Sequence, residues 1–412
     1  MKRLLPFAIL GLLGCGTPKA PLAAIDAELV LKEPASTAEI PSETMNDFAF
    51  RLLHEAVPAD ETGNALLSPL SVNVCLSMLA NGANGETRDL VAKTLGIESS
   101  EIDGWNAGSQ ALIQQLLKGR KVDLSIANSL WTFQDTPPRE EFVSLLGKYY
   151  GAQAFSLQAR DQEGIDKINA WTKRNTRERI PTIIETFDEA SFAVLVNAIS
   201  FDGEWKQKFD KGETENRLFH LEGGATVEVP FMKENELESH GALIESGARA
   251  LEIPYADESF RLLLLLPPDG TRASKFLSDM SAKDLVEIRQ NLMEGEIRVA
   301  LPRFRAARET DLKSVLEKMG AKELFKPGND FSKIHDSPLT RDAAFVSQAV
   351  HKAFIEWDED GTKAAAATMM ETATESAGPL DAFVADRPFV YFLLHDPTDT
   401  ILLAGLCNDP SK

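Results

Sequence analysis

The chain has 412 residues, of which 43% are hydrophobic, and its 63 Asp and Glu against 43 Lys and Arg give a formal net charge of −20 at pH 7. The apolar fraction is typical of a globular protein with a sizeable core, while the acidic surface would repel polyphosphates and so argues against nucleic-acid binding. The small basic cluster of Lys118, Arg120 and Lys121 is more typical of a solvated turn than of a site for an acidic polymer.

The N-terminal residues have the layout of a secretory signal. A basic start precedes an apolar run from Leu4 to Leu13, which is too short to span a bilayer. Gly14 and Cys15 complete a pattern that resembles a bacterial lipobox, in which Cys15 becomes the lipidated first residue of the mature chain. We therefore predict a lipoprotein signal peptide over residues 1–15 and a lipid anchor in the cell envelope. An ordinary signal with an incidental cysteine is the alternative.

The residues after the signal divide into a tether and a domain. Residues 16–42 are rich in Pro, Ala, Thr and Glu without sustained periodicity, which predicts a flexible tether. Gly16 in place of Asp favours the outer membrane, on its periplasmic side or at the surface. Residues 43–412 contain no Pro/Gly/Ser-rich linker and no repeat, which predicts a single domain, expected to be a monomer. Cys75 and Cys407 lie in apolar segments as small hydrophobic residues, and whether they pair stays open.

Helices are predicted mainly in the first half of the domain. Apolar residues recur at helical spacing over Met45–Val57, and a second helix begins after Ser68-Pro69, where proline suits a first turn. Further helices are predicted over Ile165–Arg179 and Asp311–Met319, the last ended by Gly320. Strands are predicted mainly in the second half, over Val227–Met232, Phe260–Leu266, Glu296–Phe304, Phe389–Leu394 and Thr400–Leu406. This segregation predicts an α+β fold rather than alternating βαβ units.

The segment from Glu359 to Ser376 has the pattern of a strand where a loop would be expected. Read with a period of two from Thr362, both fixed charges fall on one face, which includes Lys363 and is expected to meet water. The uncharged face, expected to lie over a core, carries Thr362, Ala364, Ala366, Thr368, Met370 and Thr372. The pattern predicts a segment able to lie within a sheet. Since alanines favour helix over strand, a surface helix is the alternative.

A series of segments resembles the serpin family, in the family's order, over about residues 43–410. They are Asn64–Ser71, Asn197–Trp205, Leu301–Phe304, Asp311–Leu316, His351–Glu356 followed by Glu359–Thr368, Phe383–Phe389 and Ile401–Gly405. With the lipobox, the chain resembles a bacterial, lipoprotein-type serine protease inhibitor. The resemblance implies a single α+β domain of the serpin fold, with three β-sheets, eight to nine helices and an exposed reactive-centre loop.

The resemblance also implies roles for individual residues. The hinge of the reactive loop comprises Glu359, Gly361, Thr362, Ala364, Ala365, Ala366, Ala367 and Thr368. A polar cluster beneath the central sheet, called the shutter, comprises Ser68, Ser71, Asn197 and His351. Trp205 and Glu359 correspond to the breach, where loop insertion begins. Small uncharged residues suit a segment that enters a sheet, because a buried unpaired charge would stop it.

The sequence offers little for catalysis. Its six histidines form no short metal-ligand pair, and there is no P-loop, no G-x-S-x-G elbow and no S-x-x-K motif. Ser68 or Ser71 with His351 could be taken for a nucleophile and its base. However, a hydroxyl beside a histidine without a third orienting group is more typical of a hydrogen-bonded cluster. We therefore expect a protein that is not an enzyme and that uses no metal and no cofactor.

The function implied by the resemblance is suicide-substrate inhibition of serine endopeptidases, with cysteine endopeptidases as a further class. The protease cleaves the reactive loop, which inserts into the central sheet before the acyl-enzyme hydrolyses. Counting seventeen residues from Glu359 puts the cleaved bond at Glu375-Ser376 and implies an acid-accepting S1 pocket in the protease. A loop one residue shorter gives Thr374-Glu375 and an elastase-like target. The alternatives are a non-inhibitory serpin acting as a binding or chaperone protein, and a lipid-anchored solute-binding protein.

Overall fold

The computed structural model of the chain describes residues 37–118, 121–134, 136–187, 192–336, 348–362 and 381–412. The predicted signal peptide and most of the predicted tether lie outside these ranges. Within them, six α-helices precede residue 176 and eleven of the strands follow residue 204. The predicted α+β segregation is therefore confirmed.

The helices begin and end close to where the sequence predicts. The α2 helix begins where the Ser68 hydroxyl accepts a hydrogen bond from the Ser71 backbone N–H, with Pro69 in the first turn. The helix predicted over Asp311–Met319 is α-helical only to Leu316, and Gly320 takes the left-handed conformation with φ 95°. The α-helices of the described ranges are α1 Ser42–Ala56, α2 Pro69–Gly82, α3 Gly85–Leu95, α4 Ile102–Leu116, α5 Glu140–Tyr150, α6 Gln162–Asn175, α7 Ala273–Asp279, α8 Ala282–Gln290 and α9 Leu312–Leu316.

The described strands form two hydrogen-bonded sheets, one of nine strands and one of six. Each predicted strand corresponds to an observed one, although several observed strands are longer. The strands are β1 Ala65–Leu67, β2 Val122–Phe133, β3 Gln153–Leu157, β4 Ala193–Glu204, β5 Glu215–His220, β6 Thr226–Leu243, β7 Arg249–Pro254, β8 Phe260–Leu266, β9 Met293–Pro302, β10 Phe304–Asp311, β11 Gln348–Trp357, β12 Gly361–Thr362, β13 Ala382–Val384, β14 Phe389–His395 and β15 Thr400–Cys407.

The nine-stranded sheet joins two of the three sheets that the fold implies. Its order is β1-β15-β14-β8-β7-β6-β9-β13, with β5 paired to β6. The first part of β6 pairs with β5 and its last part pairs with β7, while the β6–β9 register shifts between Glu234 and Leu237. The long strands β6 and β9 therefore continue from one sheet into the next. In β8, Leu262–Leu266 are all fully buried, as their uniformly apolar character predicts.

The six-stranded sheet lies between two layers of helices. Its order is β10-β11-β4-β2-β3, with β12 paired to β4. Leu195 and Ile199 of β4 belong to the main core, which includes α2, whereas Val194, Val196 and Ala198 are buried in a second core with α6. Both faces of β4 are therefore covered, one by the main core with α2 and the other by α6.

The two cysteines within the described ranges are free thiols, Cys75 half-buried and Cys407 buried. Burial raises the pKa of Cys75 to about 12 and raises the pKa of Cys407 well above its ordinary value. Both thiols are therefore weak nucleophiles, as expected of small hydrophobic residues. None of the described helices is long and apolar enough to cross a membrane.

Candidate functional site

The centre of the six-stranded sheet is a pair of parallel strands, β4 and β11, in regular register. Seven residue pairs join them, from Val194 with Gln348 to Ser200 with Phe354. We call these paired residues the seam. Beyond the seam the chain turns after β11 and returns as β12, where Gly361 and Thr362 pair antiparallel with Glu204 and Gly203 of β4. The sheet is therefore closed along the seam and already holds the first two residues of a further strand at its upper end.

The turn between β11 and β12 is fixed by backbone hydrogen bonds and by one glycine. The Asp358 N–H donates to the Gly361 carbonyl at 2.9 Å. Trp205 ties the turn to β4, since its backbone N–H donates to the Asp360 carbonyl at 3.0 Å and its indole Nε1 donates to the Asp358 carbonyl at 2.8 Å. Gly361 has φ 147°, and a Cβ there would lie 2.1 Å from the Gly203 carbonyl oxygen. The position thus requires glycine both for its conformation and for the close approach to β4.

Thr362 is buried on the α2 side of the sheet, as its place on the uncharged face predicts. Its hydroxyl lies 2.8 Å from the Tyr255 hydroxyl, and its exposed fraction is 1%. Tyr255 stacks on Trp205 with ring centroids 4.7 Å apart and meets Phe201 edge-on. Burial raises the pKa of Tyr255, so its hydroxyl stays protonated. The first inward-facing hinge residue therefore enters an aromatic cluster that leaves no room for a charge.

Glu359 is a buried carboxylate held by Arg303, the residue that joins β9 to β10. The Arg303 Nε donates to its two carboxylate oxygens at 2.9 and 3.0 Å, and Nη2 donates to Oε1 at 2.6 Å. The Thr214 hydroxyl also donates to Oε1, and the Phe209 N–H donates to the Glu359 carbonyl at 3.0 Å. Burial alone would raise the pKa of Glu359, but the hydrogen bonds from Arg303 and Thr214 outweigh burial and lower it. Glu359 therefore stays ionised and fastens the turn.

The predicted shutter residues form one hydrogen-bonded group and one neighbouring pair. The Ser68 backbone N–H donates to His351 Nε2 at 3.0 Å, and the Ser68 hydroxyl accepts from the Ser71 N–H at 3.2 Å. Asn197 lies beside His351 in the seam register, but its side chain donates to Asn128 of β2. All of these residues are buried. The structure thus brings together Ser68, Ser71 and His351, and it adds Asn128.

Several buried polar atoms in the shutter have no hydrogen-bond partner. They include His351 Nδ1 and Asn197 Oδ1, which belong to adjacent residues across the seam. Since His351 Nε2 accepts from a backbone N–H, the neutral ring carries its proton on Nδ1. A donor on His351 and an acceptor on Asn197, two residues paired across the seam, thus lack partners among the described residues. An unpaired buried group costs about 1–3 kcal/mol. The closed seam is therefore less stable than a fully paired one.

The shutter geometry is not that of a nucleophile and base. The Ser68 hydroxyl donates to the Leu402 carbonyl at 2.7 Å, and His351 accepts from a backbone N–H rather than from a hydroxyl. Within the described ranges, no group of three or more His, Cys, Asp or Glu side chains is arranged to hold a metal ion. The hydrogen bonds of the shutter instead connect the start of α2 with β11 and β15, as in a cluster that stabilises the fold.

His351 gives the fold a defined dependence on pH. Burial lowers its pKa from 6.5 to about 4, so the unfolded chain binds a proton at higher pH than the folded chain does. The stabilisation is complete above pH 6.5 and is lost as pH falls through 4, by up to ~3 kcal/mol. His351→Gln is the reference, because glutamine can accept the hydrogen bond from the Ser68 N–H but does not titrate. As the pH falls over this range, we expect the unfolding free energy of the parent to fall relative to that of His351→Gln. Denaturant unfolding from pH 7.5 to 4 measures this, and parallel curves for the two proteins would contradict it.

Part of the predicted site lies outside the described residues. This applies to the hinge residues Ala364, Ala365, Ala366, Ala367 and Thr368, to both candidate cleavage sites, Glu375-Ser376 and Thr374-Glu375, and to Cys15. Of the hinge, the structure describes Glu359, Gly361 and Thr362, which lie against Trp205 and β4. The residues missed by sequence reasoning are partners of these, namely Arg303, Thr214, Tyr255 and Asn128. Of these four residues, only Arg303 could have been singled out from the sequence, because it belongs to one of the segments that resemble the family.

Known proteins share both the sequence pattern and the fold. Residues 43–410 match the family described as serpin, serine protease inhibitor. The chain is 32% identical over 372 residues to a leukocyte elastase inhibitor of Sus scrofa, covering 88% of this chain and 96% of that protein. Tengpin, a thermophilic serpin solved in its native state, superimposes with a TM-score of 0.84 at 28% identity, covering 92% of this chain and 97% of tengpin. Human thyroxine-binding globulin, solved as a complex with its hormone, superimposes with a TM-score of 0.82 at 26% identity. The match covers 90% of this chain and 98% of the globulin.

Proposed function

The chain belongs to the serpin family, and from that premise we propose that it inhibits serine endopeptidases as a suicide substrate and is not itself an enzyme. In this mechanism a protease attacks the reactive loop, the loop inserts between β4 and β11, and the acyl-enzyme is trapped. The relatives named as elastase inhibitors support protease inhibition for the family as a whole. The step from the family to this mechanism depends on the geometry of the seam.

The observation that carries the proposal is the direction and position of β12. Gly361 and Thr362 pair with β4 in the antiparallel sense, whereas β11 pairs with β4 in the parallel sense. A chain that continued along β12 would run between β4 and β11, along the seam. Only the seven residue pairs of the seam would have to part.

The register that β12 begins also matches the unpaired atoms of the shutter. Each step onward from Thr362 corresponds to one step back along β4 from Gly203, so Thr368 would lie opposite Asn197. Residues directly opposite share a face of the sheet. A threonine hydroxyl there could accept from His351 Nδ1 and donate to Asn197 Oδ1, the two atoms that lack partners in the closed seam. Insertion would thereby pair both groups.

The energy available from insertion is large compared with that of a single contact. An inserted central strand would pair on both of its edges, whereas separating β4 from β11 breaks the bonds of one edge only. At a net of about 1 kcal/mol per hydrogen bond, the gain is on the order of 10 kcal/mol. A strand of ~15 residues is ~50 Å long, so a protease attached to its end would be carried across the molecule. Displacement on this scale would distort its active site before deacylation.

The cleavage site and location proposed from the sequence complete this function. We infer cleavage at Glu375-Ser376 by a protease with an acid-accepting S1 pocket, or at Thr374-Glu375 by an elastase-like protease. We further propose that the protein is a monomer anchored to the outer membrane through Cys15. The anchor can be checked independently of inhibition. The expressed chain should partition into detergent, and Cys15→Ser should abolish this partition.

Complex formation with proteases tests the proposal directly. Incubation with a glutamyl-specific and an elastase-like serine protease is expected to give an SDS-resistant complex, because the acyl bond is covalent. Its mass should be that of the protease plus the inhibitor, less the C-terminal peptide that cleavage releases. The matched control is the same protease with its active-site serine blocked, which cannot acylate and should give no complex. Mass spectrometry of the released C-terminal peptide identifies the bond cut.

A second candidate is a non-inhibitory binding protein on the same fold. It is favoured by one similar structure, the human globulin solved with thyroxine. Clean cleavage of the loop without a complex, and without a rise in the stability of the cleaved chain, would support this candidate over inhibition. A small molecule co-purifying with the chain would support it further.

A further inference from the structure

A basic surface patch lies where α4 and α6 both end beside the start of β2. Arg177, which follows α6, forms an ion pair with Asp123 of β2, and Lys121 directly precedes the same strand. Two basic segments that are far apart in sequence are therefore neighbours in the fold. We call this surface the basic patch, and its exposed cations are Lys118, Lys121, Lys173, Arg174 and Arg177.

The basic patch is positive on a protein whose formal net charge is −20. Its five exposed cations face two carboxylates, since Arg177 pairs with Asp123 and the Lys173 Nζ lies 3.6 Å from a Glu178 oxygen. Exposed pairs of this kind are weak, so the cations can exchange these partners for others. The C-terminal ends of the two helices together offset about one further positive charge. An excess of roughly two positive charges remains.

The N-terminal segment of the domain leaves from the same helix. A Cβ placed on Gly108 of α4 would lie 2.6 Å from the Glu39 carbonyl oxygen and 2.6 Å from the Pro41 Cδ, so this segment packs directly on α4. The basic patch begins ~15 Å further along, at the helical rise of about 1.5 Å per residue. Leu117, at the end of α4, is 45% exposed and adjoins Lys118. Apolar and cationic groups thus lie together near the point where the chain leaves the domain.

We propose that the basic patch is the surface through which the anchored domain lies on an anionic lipid bilayer. The inference rests on the proposed anchor at Cys15, and it adds the orientation of the domain on the membrane. The chain between Cys15 and the seat on α4 reaches up to ~70 Å when extended, so the anchor permits this contact without enforcing it.

Charge complementarity favours this orientation over the others. Acidic headgroups attract the basic patch, whereas they repel the remainder of an acidic surface. Each net positive charge close to an anionic bilayer contributes about a fivefold factor to binding. The exposed Leu117 side chain is an apolar group that can enter the bilayer interface beside these cations.

Lysine acetylation on vesicles tests this contact. The lipid-anchored protein is placed in vesicles of neutral phosphatidylcholine and in vesicles that also contain anionic phosphatidylglycerol, and mass spectrometry follows the reaction of each lysine with a water-soluble acetylating reagent. Lys118 and Lys121 are expected to react at least roughly fivefold more slowly on the anionic vesicles. Lys275 and Lys283, exposed on α7 and α8, are internal references that should react equally on both. High salt should abolish the difference, because it screens the attraction.

Charge reversal in the α6 segment tests whether the two segments act as one surface. Lys173→Glu combined with Arg174→Glu should remove the protection of the two reporter lysines, which are themselves unchanged. The matched control is Arg249→Glu combined with Arg272→Glu, an equal change in net charge at two exposed arginines outside the basic patch, and it should keep the protection. Both variants should form as much SDS-resistant complex as the parent, because inhibition does not use this surface.

The outcomes separate this inference from the proposed function. Equal acetylation of Lys118 and Lys121 on neutral and anionic vesicles, or loss of their protection in the control variant, would overturn the membrane contact and leave the proposed inhibition intact. If the parent does not enter vesicles at all, the anchor at Cys15 and this inference fail together. Protection by soluble polyphosphate but not by anionic vesicles would assign the basic patch to another acidic partner, and it too would overturn the membrane contact.

Discussion

Thr362→Arg is expected to convert the inhibitor into a substrate. Thr362 is buried against Tyr255, with its hydroxyl 2.8 Å from the tyrosine oxygen. An arginine in this position would have to bury a charge among Trp205, Phe201 and Tyr255, where it has no carboxylate partner. A buried unpaired charge costs several kcal/mol, and each 1.4 kcal/mol is a factor of ten in the balance between insertion and hydrolysis. We therefore expect at least a roughly tenfold fall in SDS-resistant complex, with the cleaved chain accumulating instead.

Two controls separate this effect from damage to the turn. Thr362→Ser keeps the hydroxyl and should inhibit nearly as well as the parent. Lys363→Arg places an arginine at the next residue instead. The alternation assigns this residue to the other face of the strand, so the variant should retain most of the complex. The stoichiometry of inhibition, measured by titrating the protease, quantifies each variant. Undiminished complex formation by Thr362→Arg would mean that this residue does not enter the sheet, and insertion as proposed would be wrong.

The alternation of the hinge segment was sufficient to predict the environment of Thr362. A period of two decides which residues share a face, and the structure has Thr362 on the α2 side, under Tyr255. It does not decide what covers the other face. Along β4 that face, carrying Val194 and Val196, is covered by α6. The approach of α6 depends on its own apolar face, which includes Ile168 and Trp171 and contacts strands that are distant in sequence.

The partners of the site could not be predicted for a related reason. Tyr255 and Thr362 are 107 residues apart, and Asn128 and Asn197 are 69 apart. Local propensity contains no information on contacts at such separations, and no single side chain identifies its partner when many polar residues are available. Ser68 and His351 were grouped only through the resemblance to the family. Their contact, 283 residues apart in sequence, is then a consequence of how α2 lies beneath β11.

Arg303→Met is expected to destabilise the protein by about 2–3 kcal/mol at neutral pH. Glu359 is buried and keeps its charge because Arg303 donates three hydrogen bonds to it. Methionine fills similar space but leaves the carboxylate without its cationic partner, with only the Thr214 hydroxyl and a backbone N–H to bind it. Breaking a fully buried pair costs 3–5 kcal/mol, and the figure is reduced here because the Arg303 side chain is 45% exposed. Denaturant unfolding at pH 7 measures the loss, and Arg303→Lys should recover part of it.

The pH dependence of this loss identifies its cause. Arg303 helps to lower the pKa of Glu359, so its removal raises that pKa, and the carboxyl becomes protonated as the pH falls. A group whose pKa is lowered on folding stabilises the protein above its unfolded pKa and loses that stabilisation in acid. The difference between the parent and Arg303→Met should therefore shrink from pH 7 toward pH 4. Glu359→Gln in the Arg303→Met background should remove most of the penalty at pH 7, because no charge is then left unpaired. A penalty that is independent of pH and unchanged by Glu359→Gln would assign the effect to packing around β9 and β10, and the turn would have to be held by its backbone bonds to Trp205.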